Sequence, residues 1–162
     1  MTRRAFFSFH YKNDVWRANQ VRNSWVTQGK EAAGFIDSAE FEKIKEKGDN
    51  VVEDWIDEQL KGTSVTVVLI GSETSNRKYV KYEVKESYKK GNGLLGVHIH
   101  KQKDENGNTS TKGDTTFGEL GKDENGDSIY FFQIAKTYDY VDDDGYNNLG
   151  DWIEKAAKDA GR

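Results

Sequence analysis

The most restrictive feature of this chain is an apolar run, Ser64-Val65-Thr66-Val67-Val68-Leu69-Ile70-Gly71. Its residues are β-branched or apolar at consecutive positions, so a strand formed here has to be buried on both faces. Such strands are typical of parallel sheets that carry helices above and below. Gly93–His100 is a second run of this kind. The chain therefore predicts an α/β fold with a parallel sheet at its centre.

Segments with helix and strand patterns alternate along the rest of the chain. Apolar residues recur at helical spacing between Asp49, the expected N-cap, and Gly62, the expected end of that helix. Ser38–Lys47 is charged and is predicted as a loop with a helical turn. We expect one open parallel sheet flanked by helices, in a single domain over residues 1–162. The other predictions are strands at Arg4–Phe9, Gly34–Asp37 and Ser128–Ile134, and helices around Ala18–Val26, Asn76–Lys90 and Leu149–Ala160.

Residues 101–128 interrupt this alternation. They are rich in Gly, Asn, Asp, Thr and Lys, and they form a longer connection than is usual between two elements. Lys103–Asn108 and Lys122–Asp127 are nearly identical, and each contains an Asn-Gly turn signal. Neither has the Gly and Glu spacing of a calcium-binding loop. We expect a loop or hairpin insert with two turns.

Composition and charge exclude several classes of protein. The chain has no Cys and no Pro. Without Cys there is no disulfide scaffold, thiolate nucleophile or Cys-ligated metal, and a cytoplasmic location is expected. The net charge of −4 opposes nonspecific binding to nucleic acid. No apolar run approaches the roughly 18 residues of a membrane span. From the charge we expect no nucleic-acid partner, and from the short apolar runs we expect no membrane partner.

The common cofactor motifs are missing from the strand ends. A GxGxxG motif would follow the first strand, but Ser8–Asp14 contains no Gly, and GxxxxGK[ST] is absent. The third strand ends in Ile70-Gly71-Ser72 rather than in the Asp of a phosphoacceptor receiver. His98 and His100 lie on a predicted strand, and we expect that they do not share a face below its end. We therefore expect no bound cofactor and no metal.

Ligands of open parallel sheets bind beyond the C-terminal ends of the strands. His10 follows the first strand, where it either touches a ligand or makes a structural hydrogen bond. Glu83 lies beside Val80 and Val84, at the border of the buried stripe of its helix. A surface ion pair is the alternative for this carboxylate. The segments expected to carry function are 8–14, 37–41, 71–79 and 98–104.

Four ordered blocks of sequence resemble the TIR-like ThsB proteins of the bacterial Thoeris anti-phage system. The resemblance covers roughly residues 3–120. This chain departs from classical TIR domains at two places. Those domains carry Trp four residues before their catalytic glutamate, where this chain has Tyr79, and they carry Pro in the loop after strand 2, whereas this chain has no Pro. The four blocks are Phe6–Tyr11, Ala32–Asp37, Ser64–Ser72 and Asn76–Glu83.

This resemblance implies a flavodoxin-like TIR fold and an enzyme that consumes NAD as its substrate. The product implied is a cyclic ADP-ribose-type messenger that activates a partner effector protein. The family's catalytic glutamate maps onto Glu83. NAD carries a cationic nicotinamide that leaves without a proton, so one fixed negative charge is enough to stabilise the oxocarbenium-like ribose. A dry aromatic pocket would favour cyclisation over attack by water.

The remaining site residues are expected to bind NAD. Arg77 or Lys78, with the amides of Gly71-Ser72, are candidates for the pyrophosphate. Asp37 is a candidate for the ribose or amide groups. The predicted substrate contacts are Ser8, Phe9, His10, Tyr11, Asp37, Ser72, Asn76, Arg77 and Tyr79.

Two other functions stay open at this point. The chain could be a catalytically silent TIR-like interaction module that uses the surface of residues 38–47. It could also be a deoxyribosyltransferase-like enzyme, which uses a carboxylate on a related sheet. A phage-derived trigger and a homo-oligomer are further partners to be considered.

Overall fold

The computed structural model describes residues 4–26, 32–33 and 38–162. The predicted strand at 34–37, including Asp37, lies outside the described residues. The strands are β1 (Ala5–Ser8), β2 (Ala32–Ala33), β3 (Val65–Ile70), β4 (Gly93–His98), β5 (Glu119–Lys122), β6 (Ser128–Tyr130) and β7 (Lys136–Asp139). The helices are α1 (Val15–Val26), α2 (Ser38–Glu46), α3 (Asp49–Leu60), α4 (Lys78–Lys90), α5 (Phe131–Ile134) and α6 (Gly145–Asp159), with a 3₁₀ turn at Thr74–Asn76.

Five of the strands form one parallel sheet in the order β2-β1-β3-β4-β7. The order confirms the predicted open α/β sheet, and it is the flavodoxin-like arrangement of a doubly wound fold. Successive strands are added in opposite directions on the two sides of the β1–β3 pair. Ligand sites in such sheets lie at this switch point, beyond the C-terminal strand ends. Ser8 and Val68 are paired there.

Strand β3 is buried along its whole length, as its composition predicts. Val67 and Leu69 belong to a cluster that includes residues of α1, α3 and α6. Val68 and Ile70 belong to a second cluster with residues of α4 and the insert. Because alternate side chains point to opposite faces of a sheet, β3 joins both halves of the core.

Residues 38–46 form a helix, so the predicted loop at Ser38–Lys47 is wrong. The buried side chain of Phe41 and the partly buried Ile44 pack against the main core, and this contact holds α2 in place. Phe41 and Ile44 are the only large apolar residues in this charged segment, which made the helical pattern weak. The predicted N-cap of α3 is also displaced by one residue, since Gly48 precedes the helix with φ +106° and Asp49 is its first residue.

The predicted last strand of the parallel sheet, Ser128–Ile134, is wrong as well. Its first part is β6, which pairs antiparallel with β5, and its second part is the short helix α5. Phe131 is fully buried in the second core cluster. The apolar residues of this segment therefore lie in the β5–β6 hairpin and α5, and they do not form a strand of the parallel sheet. The fifth sheet strand is the edge strand β7, which is too polar to be recognised by its pattern.

The insert folds back across the C-terminal ends of β3 and β4. The two Asn-Gly turns form as predicted, with Gly107 at φ +78° and Gly126 at φ +82°. The Ser110 amide donates to the His100 carbonyl at 2.8 Å, and a Cβ on Gly113 would overlap the Gly71 carbonyl oxygen. The insert thus covers the ligand edge of the sheet at β3 and β4.

Candidate active site

A cavity of about 340 Å³ lies at the C-terminal end of β1, beside the switch point of the sheet. Three parts of the chain form it: the segment after β1, one face of α2 and the start of α4. A second cavity of similar volume lies between β4, β7 and α6, at the opposite end of the strands. We assign the candidate site to the first cavity because ligands of this fold bind at the C-terminal strand ends. Its lining residues are Phe9, His10, Tyr11, Lys12, Phe41, Glu42, Lys45, Arg77, Tyr79 and Val80.

Glu83 lies on the buried side of α4, next to this cavity. Its side chain has 0% exposure. Ser8 Oγ donates a hydrogen bond to its Oε1 and the Tyr11 hydroxyl donates to its Oε2, each at 2.8 Å. Within the described residues it forms no ion pair, so the alternative of a surface pair with Lys81 or Arg77 is wrong.

The protonation of Glu83 is set by its surroundings. Burial raises the pKa of this carboxyl from 4.5 to about 8, while the hydrogen bonds from Tyr11 and Ser8 act in the opposite direction. The cause is the loss of water around the charged form, because no cation among the described residues replaces its hydration. Glu83 is therefore a carboxyl whose charge depends on small changes in its environment, as is common for catalytic groups.

Aromatic side chains form the wall between Glu83 and the cavity. The Tyr11 ring stacks on Phe41 with ring centroids 4.3 Å apart, and it contacts Phe9 at 4.6 Å. Phe41 in turn contacts Tyr79 at 5.9 Å and Trp55 at 6.1 Å. The predicted aromatic residues Phe9, Tyr11 and Tyr79 thus come together. Phe9 and Tyr11 also belong to the main core, so they pack the fold as well as line the cavity.

Three cationic side chains line the cavity, on three different segments. They are Lys12 after β1, Lys45 on α2 and Arg77 before α4. Lys45 is paired with Glu42 at 3.3 Å. Since Glu42 is the acidic residue among the lining residues, three positive charges stand against one negative charge and the lining is cationic overall. Lys78 forms an ion pair with Asp49 instead, and it is not among the lining residues.

The turn after β3 does not contribute to the cavity. Ser72 and Asn76, both predicted to touch substrate, are exposed and are not among its lining residues. The Gly71 amide donates to Thr74 Oγ1 at 2.7 Å and is not available to an anion. The structure therefore brings Arg77 to the site without the amides that precede it. Asp37 lies outside the described residues.

His10 makes the structural hydrogen bonds considered from the sequence, and it also lines the cavity. Its Nδ1 accepts hydrogen bonds from the amides of Lys12 and Asn13, at 3.3 Å and 3.2 Å, which closes the turn after β1. Burial, followed by the positive charge of Arg77, lowers its pKa to about 4. The imidazole is therefore neutral at physiological pH and lines the cavity without adding a charge.

The other two histidines lie outside the cavity. The two rings meet edge to face with centroids 5.8 Å apart, because residues two positions apart on an extended chain point to the same side. The expectation that they would be kept apart is wrong for this reason. No group of three or more His, Asp or Glu side chains with the arrangement of a metal site occurs in residues 4–26, 32–33 and 38–162.

Sequence reasoning missed the contribution of α2. Phe41, Glu42 and Lys45 line the cavity, and all three belong to the segment predicted as a loop. The spacing of Phe41 and Ile44, three residues apart, was the one signal for a helix with a buried face. Lys12 was also missed, since an exposed lysine after a strand has no distinctive pattern.

Comparisons with known proteins agree with this architecture. Residues 6–104 match the family model described as "Thoeris protein ThsB, TIR-like domain". The chain is 35% identical to a Bacillus cereus (strain MSX-D12) protein named "Putative cyclic ADP-D-ribose synthase ThsB1", over 94% of this chain and 100% of that protein. The matched region contains Ser8, Tyr11 and Glu83. This chain belongs to the ThsB family of TIR-like Thoeris proteins.

Proposed function

We propose that this chain cleaves NAD between nicotinamide and ribose and joins the ADP-ribose to itself as a cyclic product. The observation that carries the proposal is the buried Glu83 carboxyl, placed behind the aromatic wall of a cavity at the switch point of the sheet. The name of the 35% identical relative, a cyclic ADP-ribose synthase, supports the same chemistry. In this role NAD is the substrate and no separate cofactor is needed.

The reaction can be written with one carboxylate. The bond between C1′ of the ribose and the nicotinamide nitrogen breaks, and its electron pair leaves with nicotinamide, which becomes neutral. The ribose carries the positive charge that remains, and the ionised Glu83 stabilises it. A hydroxyl or ring nitrogen of the same ADP-ribose then bonds to C1′. An attacking hydroxyl releases its proton to solvent, whereas an attacking ring nitrogen takes over the positive charge. Attack by water instead would yield linear ADP-ribose.

The cavity lining fits the rest of NAD. Arg77, Lys12 and Lys45 provide positive charge for the pyrophosphate, and Arg77 can bind two phosphate oxygens at once. The rings of Phe41 and Tyr79 offer faces on which a planar base can stack. Cyclisation requires a hydroxyl or ring nitrogen of the same ADP-ribose to reach C1′ before water does. An apolar wall favours cyclisation because it excludes water from the site.

The product would act as a diffusible signal on an effector protein in anti-phage defence. The effector, a phage-derived trigger and a homo-oligomeric active form belong to this proposal, as does a cytoplasmic location. None of the helices in the described part of the chain is long and apolar enough to cross a membrane.

The decisive test is incubation of the purified protein with NAD, alone and with extract from phage-infected cells. Nicotinamide release and the cyclic product are measured by chromatography and mass spectrometry. We expect Glu83→Gln to lower nicotinamide release by about 100-fold or more, since it removes the charge that stabilises the transition state. Glu86→Gln is the matched control, because Glu86 lies on the same helix but pairs with Lys89 at the surface.

Three results of the assay with purified protein, and one result in cells, would contradict the proposal. The first is no nicotinamide release under either condition, and the second is full activity in Glu83→Gln. The third is exchange of bases between nucleosides, which would identify a deoxyribosyltransferase-like enzyme. If phage defence in cells survived Glu83→Gln but not surface changes on α2, the chain would be an interaction module.

A further inference from the structure

Tyr11 lies between two parts of the site. Its ring lines the cavity and stacks on Phe41. Its hydroxyl points the other way and donates to Oε2 of Glu83 at 2.8 Å. Glu83 is fully buried and is not among the residues that line the cavity. A substrate in the cavity therefore meets the ring of Tyr11 before it meets the carboxyl.

Among the described residues, few groups face the Glu83 carboxyl. Strand β1 supplies the Ser8 hydroxyl and the turn after it supplies Tyr11, which is the titratable group in contact with the acid. On α4 itself, the Ser87 hydroxyl donates to the backbone carbonyl of Glu83, at 2.6 Å, and not to its carboxyl. In the part of the chain that the structure describes, burial and the two hydroxyls act on the pKa of Glu83, and no neighbouring charge contributes.

We propose that Tyr11 is a positioning residue for Glu83, whose hydroxyl fixes one carboxyl oxygen and whose ring separates the carboxyl from the cavity until the ribose displaces it. The inference rests on the proposed function, because it assigns Tyr11 a task in that same reaction. The hydroxyl and the ring have opposite effects on Glu83. Donation from the hydroxyl favours the ionised carboxylate, whereas exclusion of water by the ring favours the neutral acid.

This opposition provides a test that does not depend on catalysis. The side-chain carboxyl carbons of glutamate are labelled with ¹³C, and their titration is followed by NMR in the absence of NAD. The Glu83 signal is identified by its loss in Glu83→Gln. In Tyr11→Phe, which keeps the ring, we expect Glu83 to titrate about 1 pH unit higher than in the wild type. In Tyr11→Ala we expect it to titrate lower than in the wild type, because water reaches it through the cavity.

Tyr82→Phe is the matched control. Its hydroxyl lies on the same helix as Glu83 but donates to Asp57 at the surface, at 3.0 Å, so its removal should leave the Glu83 titration unchanged. Far-UV circular dichroism and the dispersion of the NMR spectrum establish that Tyr11→Ala is folded. If Tyr11→Ala is not folded, the proposal is tested by the titration of Glu83 in Tyr11→Phe alone.

The proposal is overturned if Glu83 titrates in Tyr11→Phe as in the wild type, or if a folded Tyr11→Ala shifts it in the same direction as Tyr11→Phe. Since no NAD is present, a failure to cleave NAD would refute the proposed function without altering this outcome. In an active protein, Tyr11→Phe should also move the acidic limb of the kcat profile to higher pH. A merely structural role for the hydroxyl would lower kcat equally at all pH values.

Discussion

The Tyr11 hydroxyl and the Glu83 carboxyl form a 2.8 Å hydrogen bond across 72 positions of the sequence. Ser8 makes the matching bond to the other carboxyl oxygen. Both donors come from the end of β1 and the turn after it, and the acceptor comes from α4. The docking of α4 against β1 therefore assembles the candidate catalytic group, and a change that loosens this contact will alter the ionisation of Glu83.

Replacing Glu83 by Gln should change how stability depends on pH. The wild-type folded state keeps its proton up to about pH 8, while the unfolded chain loses it near the ordinary value of 4.5. Between these values the unfolded state binds fewer protons, so the stability of the wild type falls as pH rises. Gln has no proton to lose and resembles the neutral acid. We expect the stability of Glu83→Gln relative to wild type to increase by a few kcal/mol from pH 4.5 to pH 8.

Urea unfolding of both proteins at pH 5 and pH 8 measures this difference. Glu86→Gln, on the same helix and partly exposed, should show no comparable dependence. A stability difference between Glu83→Gln and wild type that is the same at both pH values would contradict the buried, neutral carboxyl.

Arg77→Ala should weaken the binding of ADP-ribose by about tenfold or more, since a charged hydrogen bond to phosphate is lost. The deficit should shrink as salt is raised, because the interaction is electrostatic. Isothermal titration calorimetry with ADP-ribose measures it directly. Lys78→Ala should have a smaller effect, since that ammonium pairs with Asp49 on the surface. Equal effects of the two substitutions would argue against Arg77 as the phosphate ligand.

Arg17→Ala should release the insert from the ligand edge of the sheet. Arg17 donates to the carbonyls of Gln102 and Asn108 and pairs with the buried Asp14 at 3.5 Å. Removing it leaves Asp14 buried without its cation, which costs about 3–5 kcal/mol of unfolding free energy. Chemical denaturation measures this loss, and hydrogen exchange should become faster at the Ser110 amide.

Gln20→Ala is the comparison for this change. Gln20 bonds the same loop through the Lys103 carbonyl, at 2.7 Å, but it is partly exposed. Its loss should cost about 1 kcal/mol or less. If Arg17→Ala were no more destabilising than Gln20→Ala, the insert would not depend on the buried pair.

Phe41→Ala should both destabilise the protein and impair the cavity. Phe41 packs on Tyr11, Trp55 and Tyr79, so its truncation removes the contact that holds α2, at a cost of about 3–5 kcal/mol. ADP-ribose binding should weaken in parallel, because α2 carries Lys45. Glu46→Ala, an exposed change on the same helix, serves as control. Unchanged binding in a destabilised Phe41→Ala would exclude α2 from the site.

The insert and the last strand show where local pattern is not enough. Residues 128–134 have the composition of a buried strand, yet Phe131 is buried from a short helix and the polar β7 completes the sheet. Hydrophobic pattern reports that a side chain is buried, not which element buries it. An edge strand exposes one side and needs little apolar content, so it is recognised only when the sheet is complete.

The sequence by itself determined the parallel sheet and the helix that carries Glu83, because both depend on periodicity and composition within short segments. The choice of Glu83 as the candidate catalytic group came from the resemblance of these segments to the ThsB proteins. Only the tertiary structure decided that Tyr11 and Ser8 hold Glu83, and that α2 supplies Phe41 and Lys45 to the cavity. The reason is physical: a hydrogen bond between residues 72 positions apart, and the burial of one face of a charged helix, exist only after the elements have packed.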